Sequence, residues 1–175
     1  QIFNATRHIH NLDDSSLELL EMAAILHDLG SKTEHSSHHQ IAYNLIMNFE
    51  FKEISEGEKN IIALLALYHR QSYTDINRAA MALISADDQL LVRKLSSILR
   101  IADALDKRDK QRVLALRIEI CDDIILLDLN AVSNIKRERQ AVLLKSDMFE
   151  FTFGMKVLVD RNRKEMLSNG GDHKK

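Results

Sequence analysis

The spacing of hydrophobic residues divides the chain into a long helical part and a shorter part with strand periodicity. Up to about residue 112, apolar positions recur every three or four residues, which is typical of helices that bury one face. The spacing predicts helices over residues 17–26, 38–47, 61–68 and 85–105, a short helix that ends at Ile84, and the end of a helix over residues 1–9.

Polar residues that favour helix starts precede most of these runs. A serine followed three residues later by an acidic residue can satisfy the free backbone N–H groups of a first helical turn. The predicted caps are Ser15 with Glu18, Ser36 or Ser37, Ser55 with Glu58, Asp75 or Asn77, and Ser85 with Asp88, and Gly30 is predicted to stop the first long helix.

The periodicity changes after Arg112. Leu114, Leu116, Ile118 and Ile120 alternate with less apolar residues, which predicts a half-buried strand. A turn at 122–123, a returning strand over 124–129, a helix capped by Asn134 that ends near Phe149, and a strand at 157–159 complete a ββαβ unit. The expected fold is mainly α, with a helical bundle over 1–112, a small α/β annex over 113–160 and a disordered polar tail over 161–175.

The composition agrees with this fold and excludes several classes of protein. The 175 residues include no proline, no tryptophan and five glycines, whereas loop-rich sandwiches and collagen-like repeats need far more proline and glycine. The single cysteine, Cys121, excludes an internal disulfide and a cysteine-rich zinc site. Apolar runs stay short of 18 residues and no signal-peptide pattern is present, so a cytoplasmic protein without a membrane partner is predicted. Since the chain opens on Gln1, we expect a piece of a larger protein.

The net charge of -2 hides an uneven distribution. Residues 93–117 contain eight lysines and arginines against three aspartates. Such a cluster can hold several phosphates of a polyanion, and its affinity would fall as salt rises. The competing interpretation is a solvated helix face with pairs such as Asp103–Lys107 and Asp106–Lys110. Nucleic acid is a less favoured partner, because aromatic residues make up 5% of the chain and do not interleave with the basic cluster.

Candidate metal ligands concentrate in the first half of the chain. His27 is followed directly by Asp28 at a predicted helix end, and an imidazole nitrogen beside a carboxylate oxygen can share one divalent ion. The further donors would come from His35, His38, His39, His69 and Asp103. The competing interpretation is an exposed histidine at a helix end, with Asp103 paired to Arg100 or Lys107 one turn away.

Several motifs together resemble a known family. They are His27-Asp28 before a glycine, Tyr68-His69-Arg70, and Arg100-Ile101-Ala102-Asp103-Ala104-Leu105-Asp106. In this order they are similar to the HD-domain superfamily and, more narrowly, to the C-terminal region of the exopolyphosphatase/guanosine pentaphosphate phosphohydrolase family. The segment His35 to His39 followed by Ala42-Tyr43 resembles that family's histidine-rich segment, and Glu150 to Gly154 before Val157 resembles the end of its small annex.

The resemblance implies an HD-domain-like helical bundle and a catalytic centre outside this chain. Full-length family members carry an upstream actin-like module with glycine-rich phosphate loops and acidic residues that activate water with magnesium. The body of this chain has only Gly30, Gly57 and Gly154, too few for a loop that cradles phosphate. We therefore expect no catalytic residue for polyphosphate here.

The implied role is to support the binding of polyphosphate or guanosine pentaphosphate by a homodimeric parent protein. The polyanion-binding residues would be Arg70, Lys94, Arg100, Lys107 and Arg108.

Two alternatives stay open. In the first, the chain is itself a metal-dependent HD phosphohydrolase. His27, Asp28 and Asp103 form the core of the metal site, and His38 and His69 complete a second ion site. The ion activates water, and Arg70 or Arg100 neutralises the charge of the phosphoryl group. Ile41 weakens this alternative because it stands where the family often has a histidine, and so do His8 and His10, which lie past the place expected for an upstream ligand.

In the second alternative the chain is purely a dimerisation module. Phe149, Phe151 and Phe153 are the candidate interface residues, although their alternation is also typical of the inner face of a strand or loop.

Overall fold

The computed structural model describes residues 1–30, 38–72, 78–106, 113–131 and 134–161. The predicted caps at Ser36, Ser37, Asp75 and Asn77 and almost all of the predicted polar tail lie outside the described residues.

Helices build the first two thirds of the chain, as predicted. They are α1 (Ile2–Ala5), α2 (Arg7–His10), α3 (Asp14–Leu26), α4 (His38–Asn48), α5 (Glu56–Tyr68), α6 (Arg78–Met81) and α7 (Ala86–Leu105). Helix α5 is the centre of the bundle, since α3, α4 and α7 all pack on it. Residues 61–68 of α5 are consequently buried on every side.

Two of the predicted helix caps are confirmed and one is wrong. Ser55 and Glu58 form the reciprocal capping box, and the hydroxyl of Ser85 accepts from the N–H of Asp88. Helix α3 is capped instead by Asp13, whose carboxylate accepts hydrogen bonds from the hydroxyl and N–H of Ser16 and from the hydroxyl of Ser15. These bonds lower the pKa of Asp13 to about 2. A carboxylate placed before the helix binds the free N–H groups more strongly than the predicted serine hydroxyl.

The annex consists of a three-stranded sheet and two helices. Its elements are β1 (Val113–Cys121), β2 (Ile124–Ala131), α8 (Lys136–Lys145), α9 (Asp147–Phe153) and β3 (Lys156–Arg161). The strand order is β1-β2-β3, with β1 antiparallel and β3 parallel to the central β2. The tight turn between β1 and β2 places Asp122 at a φ of 48°, a conformation that aspartate tolerates.

The annex differs from the predicted ββαβ unit in its helical part. The single helix expected from Asn134 to about Phe149 is two helices that meet at Ser146, and α9 continues to Phe153. The three phenylalanines therefore lie on a helix and not on a strand or loop: Phe149 is buried and Phe151 is exposed.

Helices α8 and α9 pack against α7, which also packs against α5. Residues 95–101 of α7 are buried on all faces for this reason. The division into domains at residue 112 stays a prediction. None of the helices in the described ranges has both the length and the hydropathy of a membrane-spanning segment.

Candidate metal centre

The bundle brings the ends of four helices together at one place. His27 is the C-terminal cap of α3 and His69 is the C-terminal cap of α5, while His38 begins α4 and Asp103 lies in the last turn of α7. The sequence separates these residues by up to 76 positions. They meet because α3, α4 and α7 surround α5.

The distances between the side chains define a histidine–aspartate cluster: His27, Asp28, His38, His69 and Asp103. The Nε2 atom of His27 lies 3.4 Å from Oδ2 of Asp28 and 3.8 Å from Oδ1 of Asp103. The Nε2 atom of His38 lies 3.8 Å from Oδ1 of Asp28, and the rings of His27 and His69 meet edge to face at 4.7 Å. In the described ranges, the group of donors that could share one ion is His27, Asp28 and His69, whose ligand atoms lie within 4.8 Å of one another.

The backbone fixes the orientation of two imidazole rings. Nδ1 of His27 donates to the carbonyl of Ala24 at 2.8 Å, and Nδ1 of His69 donates to the carbonyl of Ala66 at 2.6 Å, because a carbonyl oxygen can only accept. The proton on Nδ1 leaves Nε2 with its lone pair in the neutral ring. Histidines that bind metals are held in this way by a second hydrogen bond.

One ring nitrogen of His69 makes no hydrogen bond within the described part of the chain. Its ring is fully buried, and Nε2 has no hydrogen-bond partner among the residues that the structure describes. Burial lowers the pKa of His69 to about 3 and outweighs the hydrogen bond to Ala66, so the ring is neutral at physiological pH. A buried acceptor without a partner costs free energy, and native proteins retain few of them.

The charges within the cluster shift the pKa values of His27 and Asp103 in opposite directions. Burial by itself would lower the pKa of His27, but the nearby carboxylates of Asp103 and Asp28 raise it above the ordinary value. Burial would raise the pKa of Asp103, but the adjacent ring of His27 and the ammonium of Lys145 bring it far below the ordinary value. Asp103 is therefore a carboxylate at any pH near neutrality.

Lys145 is the member of the site that the sequence did not reveal. It is the last residue of α8 in the annex, and its Nζ forms an ion pair with Oδ2 of Asp103. A basic residue in the last turn of a helix is ordinarily explained by the helix dipole. Only the packing of α8 on α7 turns Lys145 toward Asp103.

Gly30 shapes the turn that presents Asp28. Its φ of 91° is one that other residues rarely adopt, and a Cβ atom at this position would lie 2.7 Å from Cγ2 of Ile41. Helix α3 ends at Leu26, and Gly30 closes the turn that follows, close to its predicted role as the stop of this helix.

The structure corrects the prediction for Arg100 as a residue that binds polyanions. Its guanidinium is buried and donates to the carbonyl of Gln71, to the carbonyl of Lys145 at 3.2 Å and to Asp147 at 2.5 Å. Each of its three nitrogens therefore donates to a partner within the protein. The annex covers the face of α7 on which Arg100 stands, and the stripe pattern of α7 alone does not show this.

The remaining predicted cations lie in different surroundings. Arg70 is exposed and its Nη1 lies 3.5 Å from Nδ1 of His38, at the solvent side of the cluster. Lys94 donates to the carbonyl of His10 at 2.8 Å, which ties it to the end of α2. Lys107 and Arg108 lie outside the described residues, as does the candidate ligand His35. The ring of His39 is 6.1 Å from that of His38, outside the three-donor group.

A cavity of about 600 Å³ lies on another side of the bundle, between α1, α3, α7 and β1. Its lining is mostly apolar, with Phe3, Leu20 and Leu116 among the side chains, and it includes none of the cluster residues. The cavity and the cluster are therefore separate features of the bundle.

The comparisons with known proteins identify the family. A search of curated proteins finds no significant match. The family model for Ppx/GppA phosphatase, domain III, matches residues 1–150, which include the whole histidine–aspartate cluster and Lys145. The chain therefore belongs to the Ppx/GppA phosphatase family.

Proposed function

We propose that this chain is a metal-binding domain of an exopolyphosphatase-type phosphohydrolase, and that the histidine–aspartate cluster binds phosphate groups through a divalent transition-metal ion. The observation that carries the proposal is the buried, unpartnered Nε2 of His69, which belongs to the same three-donor group as His27 and Asp28. A metal ion would give this lone pair the partner it lacks.

The donor set fits such an ion. Two neutral imidazoles and one or two carboxylates suit zinc, manganese, iron or nickel better than magnesium, which prefers oxygen ligands. The backbone carbonyls of Ala24 and Ala66 already hold the two rings with Nε2 available. When bound, the ion would polarise a phosphoryl oxygen and lower the pKa of a water molecule.

The surroundings of the cluster suit a phosphate group. The side chain of Asp28 is 47% exposed, so solvent and a ligand can reach this edge of the cluster. The exposed guanidinium of Arg70 stands at the same edge, beside His38. A guanidinium binds phosphate with two parallel hydrogen bonds, and its charge would offset that of the phosphate.

Calorimetric titration of the chelator-treated chain with Mn²⁺ tests the metal centre. We expect one ion per chain and, for His69→Gln and Asp28→Asn, a loss of affinity of about 100-fold. His8→Gln is the matched control, because His8 is an exposed histidine outside the cluster. Binding that stays unchanged in His69→Gln, or absence of binding at millimolar Mn²⁺, would contradict the proposal.

Family membership supports a second proposed function, in the parent protein. There, an upstream actin-like module would carry out hydrolysis with magnesium, and this chain would supply cations, Lys107 and Arg108 among them, to polyphosphate or guanosine pentaphosphate. We place this parent in the cytoplasm, since the free, exposed thiol of Cys121 suits a reducing compartment.

Charge reversal at Lys107 and Arg108 in the parent tests this second function. Several contacts along a polyanion add up only when the chain is long enough to reach them. We therefore expect Lys107→Glu with Arg108→Glu to impair the hydrolysis of long polyphosphate and to spare short substrates. An equal loss on both would count against the proposal.

Dimer assembly of the parent is supported by exposed apolar side chains on the two annex helices. Leu144 of α8 is 70% exposed and Phe151 of α9 is 61% exposed. Exposed apolar patches of this kind often mark interfaces. Sedimentation analysis of the chain at tens of micromolar concentration should show a dimer that Phe151→Ser weakens, and a monomer at that concentration would remove this role.

A further inference from the structure

We infer that Lys145 is an internal cation of the histidine–aspartate cluster, and that a divalent metal must displace its ammonium from Asp103 in order to bind. The inference rests on the proposed metal centre and concerns how access to that centre is controlled. It gives the annex, which supplies Lys145, a direct part in the site.

Each carboxylate oxygen of Asp103 has its own partner. Oδ1 of Asp103 faces Nε2 of His27 at 3.8 Å, and Oδ2 pairs with Nζ of Lys145. Both members of the ion pair are largely shielded, with side-chain exposures of 24% for Asp103 and 21% for Lys145. A metal ion held by His27 and Asp103 would lie next to this ammonium, and the two positive charges would repel with little screening by solvent.

Among the described residues, the charges that face the cluster are balanced without a metal ion when the ring of His27 is neutral. The carboxylates are Asp28 and Asp103, and the cations near them are Lys145 and Arg70. The charge of Arg100, which also lies near Lys145, is paired with Asp147. Adding a divalent ion to a balanced site creates an excess of positive charge, whereas release of Lys145 frees Asp103 as a negative ligand for the ion.

Arg100 fixes the place from which Lys145 reaches into the site. Its Nε donates to the backbone carbonyl of Lys145, and its terminal nitrogen pairs with Asp147, the first residue of α9. The junction of α8 and α9 is thereby attached to the C-terminal half of α7. Arg100 is thus a positioning residue, and Lys145 is the group that its contacts hold over Asp103.

Replacement of Lys145 by methionine is the sharpest test, because methionine keeps the length of the chain and removes its charge. In Mn²⁺ titration calorimetry of the chelator-treated chain, Lys145→Met should bind about tenfold more tightly than the unmodified protein, as expected when a like charge is removed from a few ångströms away. Lys145→Arg should keep the original affinity, since it keeps the charge.

The matched control is Lys59→Met. Lys59 is also a shielded lysine in an ion pair, with Glu56 at 2.8 Å, but it stands at the opposite end of α5 from His69. Its replacement should leave Mn²⁺ affinity unchanged. In an Asp103→Asn background the effect of Lys145→Met should disappear, because the ammonium no longer shares a ligand with the ion.

The outcomes separate the two proposals. Equal Mn²⁺ affinity in the unmodified chain and in Lys145→Met would overturn the inference about Lys145 and leave the metal centre intact. Failure of both proteins to bind Mn²⁺ would overturn both. Circular dichroism melts check the fold of each variant, and Lys145→Gln, which keeps a polar side chain, gives the same comparison should the methionine variant not fold.

Discussion

Two fully buried histidines, His10 and His69, show how different environments give one residue type different roles. At His10, Nε2 lies 2.8 Å from the carbonyl of Phe3 and Nδ1 accepts from the N–H of Leu12 at 2.9 Å. At His69, Nδ1 donates to Ala66 while Nε2 remains without a partner among the described residues. The ring of His10 joins segments of backbone; the ring of His69 keeps one nitrogen available beside two other possible ligands.

Burial by itself does not distinguish a structural histidine from a functional one. Burial lowers the pKa of both rings, so both are neutral at physiological pH. The difference lies in whether the second ring nitrogen is already satisfied by the protein. Buried polar atoms are normally paired, so an exception beside other ligands points to a missing partner.

Two arginines, Arg100 and Arg70, differ in the same way in how fully the protein satisfies their hydrogen bonds. Replacing them gives the largest expected difference in the free energy of unfolding. Arg100→Met should lower the free energy of unfolding by about 4 kcal/mol, because it removes a buried guanidinium that donates to two carbonyls and to Asp147. Arg70→Met is the control: this side chain is exposed, and a change within about 0.5 kcal/mol is expected. Urea unfolding measures both, and equal effects would show that Arg100 is not the buried anchor described above.

Acid should weaken the fold through His69. Since the pKa of His69 is about 3 in the folded chain and 6.5 is its ordinary value, the unfolded chain takes up this proton first as the pH falls. The free energy of unfolding is therefore not reduced by His69 above pH 6.5, and it falls as the pH decreases toward 3. At a pH of about 4.5 the reduction should be about 3 kcal/mol. In chelator, His69→Gln should lose about that much less stability than the unmodified chain between pH 7 and 4.5; identical pH profiles would contradict the buried, neutral state of His69.

Replacement of each buried histidine by leucine should give the smallest changes in the free energy of unfolding, and the two changes should differ. His10→Leu removes the hydrogen-bond partners of the carbonyl of Phe3 and the N–H of Leu12. We expect it to lower the free energy of unfolding by about 2 kcal/mol. His69→Leu removes an unpartnered nitrogen and loses one hydrogen bond, so its cost should be about 1 kcal/mol or less. Thermal unfolding in the presence of chelator measures both variants. A larger loss of stability in His69→Leu than in His10→Leu would contradict this expectation.

Much of the fold is encoded locally and was predictable. Helical spacing located the long helices, and the Ser55–Glu58 capping box marked the start of α5 because its bonds form within one turn. Strict alternation in β1 and the 122–123 turn located the hairpin. The errors occurred where neighbours compete: the carboxylate of Asp13 replaces Ser15 as the cap, and the charged helix after Asn134 divides at Ser146, where its hydrophobic pattern shows no break.

The candidate site was only partly predictable, since its formation depends on packing between distant segments. His27, Asp28, His69 and Asp103 carried recognisable motifs, and the bundle does bring them together. The burial of Arg100 could not be inferred from one stripe on α7, because the annex covers a second face of that helix. Lys145 lacked any local signal, for its partner lies 42 residues earlier in the chain.

The central claim is that His69, and not His10, completes a metal site, and anomalous scattering from a Mn²⁺-soaked crystal tests it most directly. We expect one anomalous peak within bonding distance of Nε2 of His27, Nε2 of His69 and a carboxylate oxygen of Asp28, with the ammonium of Lys145 withdrawn from Asp103. A peak at His10 would contradict the proposed metal site. So would a crystal soaked in saturating Mn²⁺ that shows no peak between these three side chains.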